Sequence, residues 1–393
     1  MGKKRFITGN SAVATAVKLA RVGVIAVYPI TPQTTIAEKL ATLVSTGELN
    51  AEYIRVESEH SSLSACMGAC MAGVRSFTAT SSQGLAYMHE ILAFASGGRY
   101  PLMLVNVNRS IAAPWSIWGE HQDSIQQRDT GCIQLYVETA QEALDTTIQA
   151  FKIAENPDVL TPVMVCLDGF HLSHAEELVE IPDQADVDRF LPAFQAPVLL
   201  DPDEPMTLAV GAKGKQYMIW RFQQHQAIHT AGKVIQEINE EFEDVFDRGY
   251  GGLVDSYRCE GADVIIVIMG SFAGMVRDAV DMLRLDGVRA GMLRIRAFRP
   301  FPNQAIRDYL GLAKRVVVID RDMSYGNEGA VCSEVRGSLY GLSHPPAVIN
   351  FIAGLGGSDV TAQDIIKIAQ KAIKVTNVAK HRIIFQFMET NED

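Results

Sequence analysis

Six short apolar runs, each closed by a small or turn-forming residue and separated by segments of helical length, constrain this chain more than any other feature. They are SFTATS ending at Ser81, PLMLVNVN at Asn108, TPVMVCLD at Asp168, ADVIIVIMGS at Ser271, KRVVVID at Asp320 and PAVINFI at Ile352. Runs this short with almost no polar alternation are strands buried on both faces, and helices between such strands make a parallel sheet in an open α/β layer fold. Ligands in such folds bind beyond the carboxyl ends of strands, where Thr31, the TSSQG turn and Arg109 all fall.

The runs form two groups, and 393 residues are too many for one core. Expected are a unit over 1–248, closing with an irregular stretch Gly169–Pro205 and a long amphipathic helix Tyr217–Asp247; a smaller α/β unit over 249–375; and a C-terminal arm over 376–393 that packs on the body or a partner. Forty-six acids against thirty-five bases leave a net charge of -11, which argues against nucleic acid or an anionic membrane as partner. The longest charge-free apolar run, Val264–Met275, is too short to span a bilayer, and MGKKRF lacks an apolar core behind its basic start, so a cytoplasmic chain is expected.

The stretch from Tyr53 to Asp123 concentrates the candidate chemistry. Glu57 and Glu59 straddle Ser58 ahead of SSLSACMGACMAG, a helix of small residues able to pack close to a backbone or a flat ligand. In an extended segment the two carboxylates point to opposite sides, so one can be buried, where its pKa rises and it can share a proton with a ring nitrogen. A helix cap or a salt-bridge partner is the other reading of Glu59, and a cap before Pro32 the other reading of Thr31. Cys66 and Cys70, one turn apart among Gly and Ala, read as small core residues. His225 and His229 read as a solvated helix face, and no metal site is expected. The six cysteines include no C-x2-C pair, so no iron-sulfur cluster is expected in this chain. The turn GLGGSD has Asp359 where a dinucleotide fingerprint needs its third glycine.

TGNSAVATA, YPITPQT, VESEHSS, TATSSQGLAYMHEIL, NVNRSIAAP, WGEHQDS, VMVCLDGFHLSH, FRPFP, DRDMSYGNEGAVCSEV and GLGGSDVT occur in this order. With them the chain resembles, almost end to end, the α subunit of 2-oxoacid:ferredoxin oxidoreductases of the pyruvate synthase group. The resemblance implies an N-terminal thiamin diphosphate pyrimidine-binding domain and a smaller transketolase C-terminal-type domain. It also implies partners: a β subunit carrying the diphosphate and magnesium (Mg2+) site and an Fe-S cluster, a γ- or δ-type subunit, and ferredoxin as acceptor, with the 4Fe-4S clusters in partner subunits and not in this chain. Carried over by position, Glu59 would activate the aminopyrimidine, Pro29 and Ser82 would contact the cofactor, and Thr31 and Arg109 would hold the substrate carboxylate. Arg109 suits that role because its planar fork donates two parallel hydrogen bonds and stays charged when dehydrated.

Pyruvate-type relatives tend to read NRALSAPINIWNDHSD, whereas this chain reads NRSIAAPWSIWGEHQD. Trp115, Ser116 and Trp118 bring indole N–H and hydroxyl donors, and a donor-lined wall suits a substrate polar at both ends. That favours oxalate, split to two carbon dioxides, with pyruvate made to acetyl-coenzyme A as the alternative and a non-catalytic scaffold subunit as a further one. A thiamin enzyme that passes a carbonyl fragment to an acceptor is also compatible with the residues.

Overall fold

The computed structural model describes residues 2–208, 210–376 and 383–387. Valine and isoleucine stiffen the strand segments and pack their branched side chains on both faces of a pleat. VIIVIM, RVVVID and AVINFI are buried almost throughout. Among the described residues two large sheets form. From edge to edge the first holds Ala297–Arg299, Ile133–Tyr136, Val163–Asp168, Met103–Asn108, Ser76–Thr80, Val24–Val27 and Glu52–Arg55. All its pairings are parallel except that of Ala297–Arg299, a strand contributed by the later part of the chain. The second runs Ile383–Phe385, Ala347–Ile352, Arg315–Asp320, Val264–Met269, Ala290–Ile295 and Val254–Tyr257, the last antiparallel.

From Val24–Val27 the chain crosses first to one neighbouring strand and then to the other, which makes a topological switch point. The loops after Val27, Thr80 and Asn108 therefore open into one crevice. Side-chain caps start several helices sharply: Thr8 accepts from the Ser11 amide, Ser58 from Ser61, and Thr361 forms a capping box with Asp364. In the small-residue helix Glu59–Met71, Ser62 donates to the Ala26 carbonyl at 2.5 Å, holding the helix against the sheet. Cys66 and Cys70 are buried there, and burial pushes both thiols up to about 12. His225 and His229 are exposed on the long helix Gly214–Phe246.

Two expectations need correction. Gly169–Pro205 is not irregular throughout, since Glu176–Ile181 is a strand and Gln184–Phe190 a helix. That strand shows no clear period because it pairs only with Lys3–Thr8, antiparallel and outside both large sheets. Of the expected arm, residues 377–382 and 388–393 lie outside the described residues, while Ile383–Phe385 pairs in parallel with the second sheet. No helix among the described residues is long and apolar enough to cross a membrane.

The two sheets meet through buried charge. Glu142 accepts from Arg294 at 2.6 Å and from Arg296 at 3.1 Å. At the crevice end Asp168, closing a strand of the first sheet, takes the Ser271 amide at 2.8 Å and pairs with Arg321 at 2.6 Å, both from the second unit. His121 completes the cluster at 2.9 Å. Burial works to raise the Asp168 pKa, but Arg321, His121 and Ser271 hold the carboxyl well below the usual carboxylate range.

Candidate active site

Asp123 is the hub of the crevice. Fully buried, it accepts the Ser82 amide at 2.9 Å, the Arg109 amide at 3.0 Å, Asn106 Nδ2 at 3.0 Å, Asn108 Nδ2 at 2.7 Å and the Ser124 amide at 2.8 Å. Burial pushes its pKa up against the pull of these donors. One carboxylate thus ties together the turns that follow two neighbouring strands. It also keeps Ser82 at φ 51°, a left-handed conformation that a non-glycine residue holds only when its surroundings over-determine it.

Arg109 leaves this hub with its side chain buried. Nη1 donates to the Thr31 carbonyl at 2.8 Å and Nη2 to Gln83 Oε1 at 3.0 Å, and Nε has no partner among the described residues. Both acceptors are neutral, and no carboxylate lies within ion-pair distance among the described residues. Burial pulls the guanidinium pKa down, with Asp123 opposing. The Trp115 ring lies over the guanidinium at 5.8 Å.

Glu59 occupies the first turn of its helix, and Ser58 rather than Glu59 is the cap. Its side chain is buried, yet its carboxylate accepts no hydrogen bond among the described residues. It lies against Gly84, where a Cβ would stand 2.6 Å from Glu59 Oε1 and 2.4 Å from Thr80 Oγ1. The Thr80 hydroxyl is itself buried without a partner. Glu57, by contrast, is fully exposed and its pKa is lowered by the Ser61 hydroxyl.

The other expected site residues sit as follows. Thr31 is exposed and takes part through its carbonyl; the helix expected from Pro32 begins at Thr34 with Gln33 at its cap position. Pro29 is exposed on the same loop, which Asn10 pins by donating to the Pro32 carbonyl at 2.8 Å. Ser82 is fully buried, with its hydroxyl spent on the Ser110 carbonyl and Gln83 Oε1, so it braces the turn from beneath. Trp115 and Trp118 are 77% and 51% exposed, and the Trp118 ring packs on Phe170 at 4.6 Å. Ser116 Oγ accepts the Trp118 amide at 3.2 Å. The donor-lined wall expected from these residues is therefore not what the loop presents: its aromatic rings face Arg109 and Phe170.

The family described as pyruvate flavodoxin/ferredoxin oxidoreductase, thiamine diP-binding, matches residues 15–240, and pyruvate:ferredoxin oxidoreductase core domain II matches residues 262–365. The chain belongs to the 2-oxoacid:ferredoxin oxidoreductase family. Within this family it is an α subunit of the pyruvate synthase group, 49% identical over 367 residues to pyruvate synthase subunit PorA of Methanothermobacter thermautotrophicus, covering 93% of this chain and 94% of that one. Ketoisovalerate oxidoreductase subunit VorA of Pyrococcus horikoshii is 42% identical over 379 residues, covering 96% and 95%. The 2-oxoglutarate:ferredoxin oxidoreductase of Magnetococcus marinus has the same fold, with a TM-score of 0.74 at 21% identity over 95% of this chain and 66% of that longer chain.

Sequence reasoning passed over Asp123, although it lies in the WGEHQDS motif, and did not pair Asp168 with Arg321. A carboxylate between two asparagines and a histidine in neighbouring motifs was the available signal.

Proposed function

We propose that this α subunit supplies the substrate-carboxylate site and the aminopyrimidine-activating carboxylate of a thiamin diphosphate enzyme that oxidatively decarboxylates pyruvate or a close aliphatic 2-oxoacid. The observation that carries this reading is Arg109, buried with no counter-ion among the described residues. A buried guanidinium bonded only to neutral oxygens is costly to keep, and a substrate carboxylate offsets that cost by charge-assisted hydrogen bonds. Two of its five N–H groups are committed, to Thr31 and Gln83.

The residues fit the cofactor. A buried carboxylate and a buried hydroxyl, both without a hydrogen-bond partner among the described residues, lie together where Gly84 lacks a side chain. Thiamin diphosphate, when bound, supplies a nucleophilic carbon for the 2-oxo group and an electron sink for loss of carbon dioxide. Glu59 would hold the shared proton at its carboxylate, Arg109 would orient the substrate, and Trp115 and Trp118 would shield the reacting end from water. The magnesium-diphosphate site and the clusters that lead electrons to ferredoxin are assigned to partner subunits.

Pyruvate is favoured over oxalate. The relatives are named for pyruvate and ketoisovalerate, and the rings of Trp115 and Trp118, set against Arg109 and Phe170, suit a methyl group better than a second carboxylate. Methyl viologen reduction by the assembled complex tests this. Coenzyme A-dependent reduction with pyruvate, and none with oxalate, is expected; oxalate-dependent reduction with pyruvate inert rejects the reading.

A further inference from the structure

The glycine turn of GLGGSD resembles a phosphate loop in sequence, but its amides are already committed. The Gly354 amide donates to Gln386 Oε1 at 2.9 Å, Gly356 to Glu120 Oε2 at 2.8 Å and Gly357 to the Gly119 carbonyl at 3.1 Å. Two of those three acceptors belong to the loop that follows Arg109. Gly357, at φ 71°, also lies so close to that loop that a Cβ there would stand 2.3 Å from Trp118 Cβ. Beside it, a Cβ on Gly356 would come 3.6 Å from Ser116 Oγ.

The contact continues toward the substrate arginine. The Trp118 carbonyl accepts from the Ser110 amide at 3.0 Å and from Ser110 Oγ at 3.1 Å, and Ser110 directly follows Arg109. The far end of the loop is held by the same unit: Arg321 Nη2 donates to the Gly119 carbonyl at 3.1 Å, and the His121 amide to the Arg321 carbonyl at 2.8 Å.

We infer that the turn Gly354–Gly357 is a seat for the loop 110–120, and that Gly357 and Glu120 are positioning residues that set the room available to the substrate's alkyl group. This deepens the 2-oxoacid reading and rests on it. Only a glycine at 357 lets Trp118 come this close to the turn. A methyl group there moves Trp118 off the turn and toward Ser110 and Arg109, narrowing the pocket, so a branched 2-oxoacid suffers more than pyruvate. The Glu120 bond holds the neighbouring backbone, and burial, the main influence on its carboxyl, pushes its pKa up. A glutamine keeps an acceptor for the Gly356 amide, whereas an alanine does not.

The test uses the assembled complex with Gly357→Ala, Glu120→Ala and Glu120→Gln. Steady-state kinetics with pyruvate and ketoisovalerate are combined with hydrogen exchange of the peptides covering 110–121. Gly357→Ala and Glu120→Ala are each expected to raise KM about tenfold, more for the branched acid, with kcat within about threefold of wild type and faster exchange in the loop. Glu120→Gln restores wild-type KM and exchange. Unchanged KM in both disruptive variants overturns the inference, even if exchange quickens. Should Gly357→Ala fail to assemble, the Glu120 pair decides on the same criteria. If wild type turns over neither acid, the 2-oxoacid reading fails separately; unchanged loop exchange in the variants then overturns the seat, and faster exchange supports it.

Discussion

Two arginines stand at the carboxyl ends of the two sheets, and their surroundings differ. Arg109, after Met103–Asn108, and Arg321, after Arg315–Asp320, are both buried, and each guanidinium lies over an aromatic ring, Trp115 at 5.8 Å and Phe272 at 4.0 Å. Arg321 has Asp168 at 2.6 Å. Among the described residues Arg109 has only a backbone carbonyl and an amide oxygen. The acids at these ends follow the same division. Asp320 accepts the Val331 amide at 2.9 Å, the Cys332 amide at 3.2 Å and Asn350 at 2.6 Å, whereas Glu59 accepts nothing among the described residues. Similar architecture thus carries satisfied polar groups in one unit, where Arg321 and Asp168 hold the halves together, and, among the described residues, a guanidinium and a carboxylate without counter-ions in the other, where a ligand can complete them.

The sharpest way to break this contrast is to remove each arginine. Arg109→Leu should lower kcat/KM for pyruvate roughly 10³-fold, about 4 kcal/mol, with thermal stability unchanged or raised, as steady-state assays and calorimetry of the complex will show. Arg321→Leu should do the reverse to the fold: it strands Asp168 among buried groups and costs about 3–5 kcal/mol in denaturant unfolding.

A pH series sharpens the same point. Because Asp168 is held below its ordinary value, its stabilising contribution is complete above the unfolded aspartate pKa of about 3.9 and is lost as pH falls through the folded value. The stability gap between wild type and Asp168→Asn should therefore stay level from neutral pH to about pH 4 and close below it. Asp320 and Asp322 behave oppositely, since burial raises both and the Asp322 charge pushes Asp320 further up. A gap that closed on raising pH would place Asp168 with that pair.

Asp123→Ala should cost about 1–3 kcal/mol for each buried donor it strands, and it should raise the pyruvate KM because the Arg109 backbone loses its tether. Trp115→Leu is the smallest change. With Trp115 largely exposed and the cation–π contact worth about 0.5–1 kcal/mol, KM should rise no more than about fivefold. A null effect on KM would detach the loop from Arg109.

The strand runs, the two-unit architecture and the long helix were legible because valine-rich stretches and helical periodicity are local signals. Arg109 and Glu59, on which the proposed reading rests, stand out in the sequence as residue types at element ends and through the motifs around them. Asp123 was not, since its role exists only when three segments deliver five donors to one carboxylate. Thr31 meets Arg109 through its backbone carbonyl, a contact that any residue offers and that residue type therefore does not signal. The strand Glu176–Ile181 was missed because its partner lies far earlier in the chain. The oxalate expectation followed from reading Trp115 and Trp118 as donors, whereas in the fold their ring faces and edges meet Arg109 and Phe170.

The measurement closest to the central claim is hydrogen–deuterium exchange at C2 of thiamin diphosphate bound to the assembled complex. Glu59→Gln keeps the volume and the hydrogen-bonding capacity of the side chain but cannot exchange the proton, so exchange should slow roughly 10²–10⁴-fold while folding stability stays near wild type. Unchanged exchange in Glu59→Gln would contradict the account and move the activating role to another residue or another subunit.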